Sequence, residues 1–275
     1  MKKSLLAGCI ALATAGAQAE LSPMSEFELH NVTGQAGVDI ELDVGLSIGE
    51  IRYTDTEFEG DGDGGSLSIK DITIGGANKS SFFQTPNIVP NASNSLDEVI
   101  FSIDIANDGD LIISGNPKNG NFIDFSLTTG AVATLDSNGD EAARLIDSVS
   151  MVGLAAGLLM KVESTGNKVI LAADIAIEDM DIDASSVGFQ LENVTVAGQN
   201  YLQEVDVFGK AKPLSWAFPV GMIITPENTG VDIELLPSVM DIQVGKLSVG
   251  GDHVGALRID NFALNDVSLF VKGHN

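Results

Sequence analysis

Three short patterns in this chain carry residue types that do chemistry. Gly45-Leu-Ser-Ile-Gly49 spells G-x-S-x-G, the nucleophile elbow in which a serine sits on a sharp strand-to-helix turn. Here the apolar alternation runs straight through to Tyr53, so Ser47 is read as an outward-facing strand residue. His30, His253 and His274 stand in no context that would make any of them its base. Gly60-Asp-Gly-Asp-Gly-Gly65 contains G-x-G-x-x-G, but phosphate cradles present amides in a neutral or positive setting, and two aspartates sit inside this one. The same acidic run, with Asp55, Glu57, Glu59, Asp61 and Asp63, offers the hard oxygen ligands that calcium prefers. Ser66 stands where an EF-hand loop has its bidentate acid. A second calcium candidate is Asp136, Asn138 and Asp140 with Asp147 at the twelfth position, where Glu141 replaces the turn glycine. Calcium is the one ligand ion these residues suggest, with solvated acidic turns as the competing reading, and no other cofactor is expected.

A fourth cluster is built for contact rather than reaction. Tyr201, Phe208, Trp216 and Phe218 lie with Lys210, Lys212 and three of the eight prolines between residues 200 and 230. Exposed aromatics of this kind anchor interfaces. Buried, Trp216 and Phe218 would cap the open end of a β-core instead.

Composition narrows the function classes. The 275 residues hold 39 Asp and Glu against 14 Lys and Arg. Lys2 and Lys3, with the small apolar stretch Ser4 to Gly16 and the A-x-A site Ala17-Gln18-Ala19, read as a bacterial secretory signal over residues 1–19. Cys9 closes a lipobox, but only the five residues Ser4 to Gly8 separate it from Lys3, shorter than the apolar core such a signal carries. Without the signal, twelve basic residues face 39 acidic ones, a net charge of −27, and no cysteine is left. That charge repels nucleic acid and anionic headgroups. The missing thiols exclude disulfides, Cys-ligated metal and thiol catalysis. No later stretch reaches the roughly twenty apolar residues of a membrane helix, and 5% aromatics is lean for the girdles of a membrane barrel. The protein is expected to be exported, to the periplasm, the outer surface or the medium.

The elements that must position these residues are strands. Apolar residues recur with period two, and the alternation repeatedly slips by one: Leu46, Ile48, Ile51, Tyr53; Leu67, Ile69, Ile72, Ile74; Ile175, Ile177, Met180, Ile182; Phe189, Leu191, Val194, Val196; Ile242, Val244, Leu247, Val249; Leu257, Ile259, Phe262, Leu264. A one-residue slip would turn the later residues outward unless a bulge or corner restores them. Gly49, Asp71, Asp179, Asn193, Gly245 and Asn261 occupy the slips, all types that tolerate unusual backbone angles. Gly37-Val-Asp-Ile-Glu-Leu42 recurs letter for letter at 230–235, and Gly65 to Ile74 then matches Gly255 to Leu264, which indicates duplicated β-units sharing one apolar face. Val99 to Ile105, Leu111 to Ser114 and Phe122 to Leu135 are further strands. Gly75 to Asp97 reads as a long loop. Ser22, Pro23, the Ser25-x-x-Glu28 box and Gly34 predict one short helix near residues 23–32, and Asp140 to Val149 is a weaker helix candidate. The expected fold is all-β: an elongated domain of repeated bent strands over 37–275 (sandwich, open barrel or solenoid-like), preceded by an N-terminal segment at 20–36 with its short helix.

Within that segment, Met24-Ser-Glu-Phe-Glu-Leu-His-Asn-Val-Thr-Gly-Gln-Ala-Gly37 resembles the N-terminal motif of the Fil-type pilus-system protein family, through Met24, Ser25, Glu28, Leu29, Val32, Gly34, Gln35 and Ala36. The resemblance covers fourteen residues and implies a surface or pilus context; it implies no catalytic residue. The reading is a non-enzymatic exported protein with a structural or interaction role in a pilus- or adhesion-type system, with protein partners or self-association. The alternative is an envelope protein holding lipid or another apolar molecule in a β-groove.

Overall fold

The computed structural model describes residues 37–55, 64–89, 91–118, 122–199, 201 and 216–273. The expected helix at 23–32 lies outside them. Sixteen strands form one open antiparallel sheet: β1 Val38–Val44, β2 Leu46–Thr54, β3 Ser66–Gly75, β4 Leu96–Ile105, β5 Leu111–Pro117, β6 Ile123–Thr129, β7 Val132–Leu135, β8 Glu141–Ile146, β9 Ser148–Val162, β10 Val169–Ala184, β11 Phe189–Gly198, β12 Phe218–Glu227, β13 Gly230–Leu235, β14 Ser238–Val249, β15 Asp252–Leu264 and β16 Val267–Val271. The chain is all-β, as the alternation predicts. Asp140 to Val149 is not a helix. Asp136 Oδ1 accepts the amide protons of Asn138 and Asp140, which closes a tight turn, and β8 folds back on β7. The loop expected at 75–97 fills the gap between β3 and β4.

The pairings resolve the sheet into an up-and-down meander of eight long runs. The runs are β1 with β2, β3 with β4, β5 with β6, β9, β10, β11 with β12, β13 with β14, and β15 with β16. Every run crosses a bend, so the meander has two leaves. Leaf one is β1-β4-β5-β9-β10-β12-β13-β16, using the C-terminal part of β9 and the N-terminal part of β10. Leaf two is β2-β3-β6-β9-β10-β11-β14-β15, using the other ends of the two central strands. The β7–β8 hairpin adds itself to the first half of β3.

Alternation gives both leaves one apolar face, and the fold turns those faces toward each other. Phe218 and Val220 of β12 pack on Met240 and Val244 of β14, although these strands share no ladder. Val99 and Phe101 of β4 likewise meet Ile123 and Phe125 of β6. Burial along the crease is what bends the sheet, since at about 25 cal/mol per Å² two apolar faces lower the free energy by covering each other.

The slips supply the bends. Asp71, Asn193 and Asn261 adopt left-handed φ of 52°, 55° and 56°. Two of these use one device: Asn193 N–H donates to Asp181 Oδ1 and Asn261 N–H to Asp241 Oδ1, each at 2.8 Å. Slips also face slips, because Gly49 falls opposite Asp71 and Gly245 opposite Asn193 in their ladders. The slip near Asp179 is a bulge between Ile177 and Asp179. At Asn193 the backbone, rather than the side chain, is required. Asn193→Ala should therefore cost about 1 kcal/mol and Asn193→Gly distinctly less, read as shifts of the urea midpoint.

The duplicated segments occupy equivalent places at the two ends of the meander. The twin hexapeptides open β1 and β13, the leaf-one parts of runs one and seven, and the second match is β3 with β15, the leaf-two parts of runs two and eight.

Candidate functional site

The inner face of leaf one is assembled as rows of residues directly across from one another. One row reads Val38, Ile103, Ile113, Met160, Leu171, Met222, Leu235 and Val267, an apolar residue on each of eight neighbouring strands. At about 4.8 Å per strand this row is roughly 34 Å wide. The next row toward the crease is Ile40, Phe101, Gly115, Leu158, Ala173 and Val220. Its small members, Gly115 and Ala173, leave a depression between the larger side chains. The result is a cavity of about 380 Å³ lined by Phe101, Ile113, Leu158, Met160, Leu171, Ala173, Val220 and Met222, with no charged side chain among its lining residues. It runs across the strands from β4 to β12, about 19 Å by strand spacing. Its volume falls in the range of small-molecule sites.

Solvent reaches these rows. The whole of β1 is exposed, Val38 at 58%, and on β2 Tyr53 is exposed at 69%. Leu158, Leu257, Phe262, Leu269 and Val271 are also exposed. A soluble monomer rarely shows a contiguous apolar face of this size without a use for it. Acidic residues take the opposite side of the same strands: Asp39, Glu41 and Asp43 on β1, and Asp232 and Glu234 on β13.

The outer face of the crease is sealed by the loop between β3 and β4. Phe82, Phe83 and Val89 cover a row of small and apolar residues, Leu154, Ala176 and Ala197, together with the fully buried Trp216. Phe83 stacks on Trp216 with ring centroids 5.2 Å apart and meets Tyr201 edge-on at 5.4 Å. The loop is tied by charge as well. Glu178, turned out by its bulge, accepts the Phe83 N–H at 2.7 Å and pairs with Lys79, whose ammonium lies 4.8 Å from the Phe82 ring. Asp124 accepts the Ala77 N–H at 2.7 Å, and Ser126 donates to the Gly76 carbonyl.

Burial pushes the Asp124 carboxyl above the ordinary carboxylate range, and the nearby Asp97 adds to the effect, against the pull of the Ala77 amide. A raised carboxyl binds its proton more tightly when folded, so its contribution is full at low pH and is lost as pH rises past the unfolded value. Asp124→Asn keeps an acceptor for Ala77 and removes the proton. The stability difference between wild type and Asp124→Asn should therefore shift toward the variant as pH rises from about 4, the unfolded carboxyl value, through the raised folded one, as urea midpoints would show. Asp110, Asp136, Asp147 and Asp183 are shifted the other way by hydrogen bonds, Asp110 chiefly by Lys161 and Asp147 chiefly by Ser186.

The residues singled out from sequence separate. Ser47 is a β2 strand residue opposite Thr73. Asp55 directly follows β2, while Glu57, Glu59, Asp61 and Asp63 lie outside the described residues. Asp136, Asn138 and Asp140 share the tip of the β7–β8 hairpin, and the Asp136 carboxylate is engaged by that turn. Asp147 belongs to a different neighbourhood, accepting from Ser185 and Ser186. No cluster of three or more metal-binding side chains forms among the described residues. Phe208 lies outside the described residues. Of the two readings of Trp216 and Phe218, the structure has them in the core and not exposed: one is fully buried against the outer loop, the other packs at the crease. Tyr201 is half-buried on the same outer cluster. The trough residues went unnoticed in sequence because each is an ordinary strand hydrophobe; only cross-strand register lines them up.

A model for a family of unknown function, DUF6160, matches residues 1–107, ending just past β4. No curated protein and no solved structure matches the chain. Among the described residues no helix is long and apolar enough to cross a membrane.

Proposed function

We propose that the protein is an exported, non-enzymatic carrier or receptor for a long apolar chain, such as the acyl tail of a lipid, held in the leaf-one trough. The observation that supports this is the half-buried row of apolar residues across eight strands with an uncharged cavity along it. An extended tail matches the cavity's direction across the strands better than a compact ring would, and each buried methylene contributes about 0.8 kcal/mol. The net charge of −25 on the full chain favours a neutral or zwitterionic head group over an anionic one. Native mass spectrometry of protein purified from its own envelope fraction should show added mass that organic extraction removes and identifies as lipid. Clean protein that also fails to take up a fluorescent acyl probe would sink the reading.

A structural role in a surface or pilus-type assembly is the second reading. It is favoured by the unpaired outer edges of β1, β2, β15 and β16 among the described residues, since long apolar edges are templates for strand addition. The Fil-type resemblance of residues 24–37 supports the same surface context.

A further inference from the structure

We infer that copies of this chain join head to tail, β15 and β16 of one copy pairing with β1 and β2 of the next, so that the meander and its apolar trough continue across the junction. This gives the assembly reading its partner and does not require that the trough hold a lipid.

The sequence repeat carries the inference. Gly-Val-Asp-Ile-Glu-Leu in β13 is paired on both sides, by β12 and β16, whereas the identical residues in β1 pair only with β4 among the described residues. At the opposite end the asymmetry is reversed. β3 is flanked by β2 on one side and by β6 and β7 on the other, while its sequence match β15 pairs only with β14. Each outer run thus carries a segment that matches one inside the sheet. Direction agrees, because the eighth run of an up-and-down meander is antiparallel to the first, so a translated copy presents an antiparallel edge.

Register agrees too. Placing the two bends opposite each other, Gly45 against Asn265 and Asp266, puts Leu42 opposite Leu269, Ile48 opposite Phe262 and Tyr53 opposite Leu257. The same alignment puts the slip at Gly49 opposite the slip at Asn261, repeating what Gly49 and Asp71 do inside the sheet. Cross-strand apolar pairs of this kind are the unit of sheet stabilisation. On the acidic face, Asp39 meets Lys272; Glu50 and Arg52 stand across from Asp260 and Arg258, two like-charge pairs whose cost is offset by the Glu50–Arg258 and Arg52–Asp260 attractions on the diagonals. The alternative of β1 against β1 would press Asp39, Glu41 and Asp43 on themselves. A heterologous junction that does not close extends into a filament.

The test uses the full chain with each edge blocked separately by lysines, Leu42→Lys with Ile51→Lys on one side and Leu257→Lys with Leu269→Lys on the other. Circular dichroism and emission from Trp216 report that each variant folds. Wild type should sediment as a concentration-dependent series, each blocked variant as a monomer, and their equimolar mixture as a dimer through the one pair of intact edges. In a Cys9→Ser background, Leu42→Cys should cross-link to Leu269→Cys and not to Leu257→Cys. Wild type that stays monomeric up to near-millimolar concentration overturns the proposal. So does a singly blocked variant that dimerises alone, or cross-linking in the wrong register.

Discussion

Ala173→Phe should lower the affinity for an acyl probe by roughly two orders of magnitude while leaving the fold intact. Ala173 lies between Leu158 and Val220 on the inner face, at the floor of the depression. A phenyl ring there occupies the space of about four methylenes, and at about 0.8 kcal/mol each their loss is near 3 kcal/mol, or about a hundredfold in Kd. The ring enters an open depression, so the overpacking cost of a filled core does not apply. Ser102→Phe is the matched control, since Ser102 alternates with Phe101 and Ile103 on β4 and so faces the other side of the sheet. Titration of a fluorescent fatty acyl probe, with melting temperature measured alongside, separates the outcomes. Equal affinities for the two variants would remove the trough as the binding site.

What the sequence disclosed and what it hid follow from the range of the interactions involved. Alternation is local, so the strands, the apolar face and the corners at Asp71, Asn193 and Asn261 were legible residue by residue. The twin hexapeptides were legible as a repeat, and the structure places them at equivalent ends of the meander. The crease was not legible. It depends on Phe218 finding Met240 and Val99 finding Ile123 across strands with no shared ladder, and nothing in the spacing of either strand records that meeting. The short apolar run of Asp140 to Val149 fits a helix as well as a strand, until the Asp136 turn fixes the direction of the chain. Carboxylates close along the chain suggest a metal site over Asp136 to Asp147, whereas the structure engages Asp136 and Asp147 with backbone and hydroxyl donors in separate places. The trough had no motif at all, being a product of register.

The acidity acquires a second purpose once the two faces are distinguished. A sheet with apolar rows and open edges would stack on itself indiscriminately if its reverse side were neutral. Asp39, Glu41 and Asp43 line the reverse side of one outer strand, and inward or flanking charge is how exposed edges are kept from unplanned pairing. The charge therefore restricts which edges can meet and leaves the apolar face available.

Trp216→Ala should be the most destabilising single truncation outside the crease, at about 3–5 kcal/mol. The side chain is completely buried, stacked on Phe83 and in contact with Phe122 at a centroid distance of 6.0 Å, and it is the chain's one tryptophan. Its removal opens a cavity under the β3–β4 loop, whose own anchors Phe82 and Val89 owe their burial to the same cluster. For a domain of this size the cost corresponds to a fall in Tm of roughly 10 °C. The loop would loosen first, because its remaining side-chain ties to the sheet around Lys79 are the Lys79–Glu178 pair, the Phe83 and Ala77 amides on carboxylates, and the Ser126 hydroxyl on the Gly76 carbonyl. Trypsin cleavage after Lys79 should therefore become fast in Trp216→Ala under native conditions. Trp216→Phe preserves the aromatic stack and deletes an indole N–H that has no partner among the described residues, so its cost should stay below about 1.5 kcal/mol. Urea midpoints order the three proteins, and protection of Lys79 locates the damage. If Trp216→Ala melted within a degree of wild type and Lys79 stayed protected, the outer cluster would not be what seals the crease.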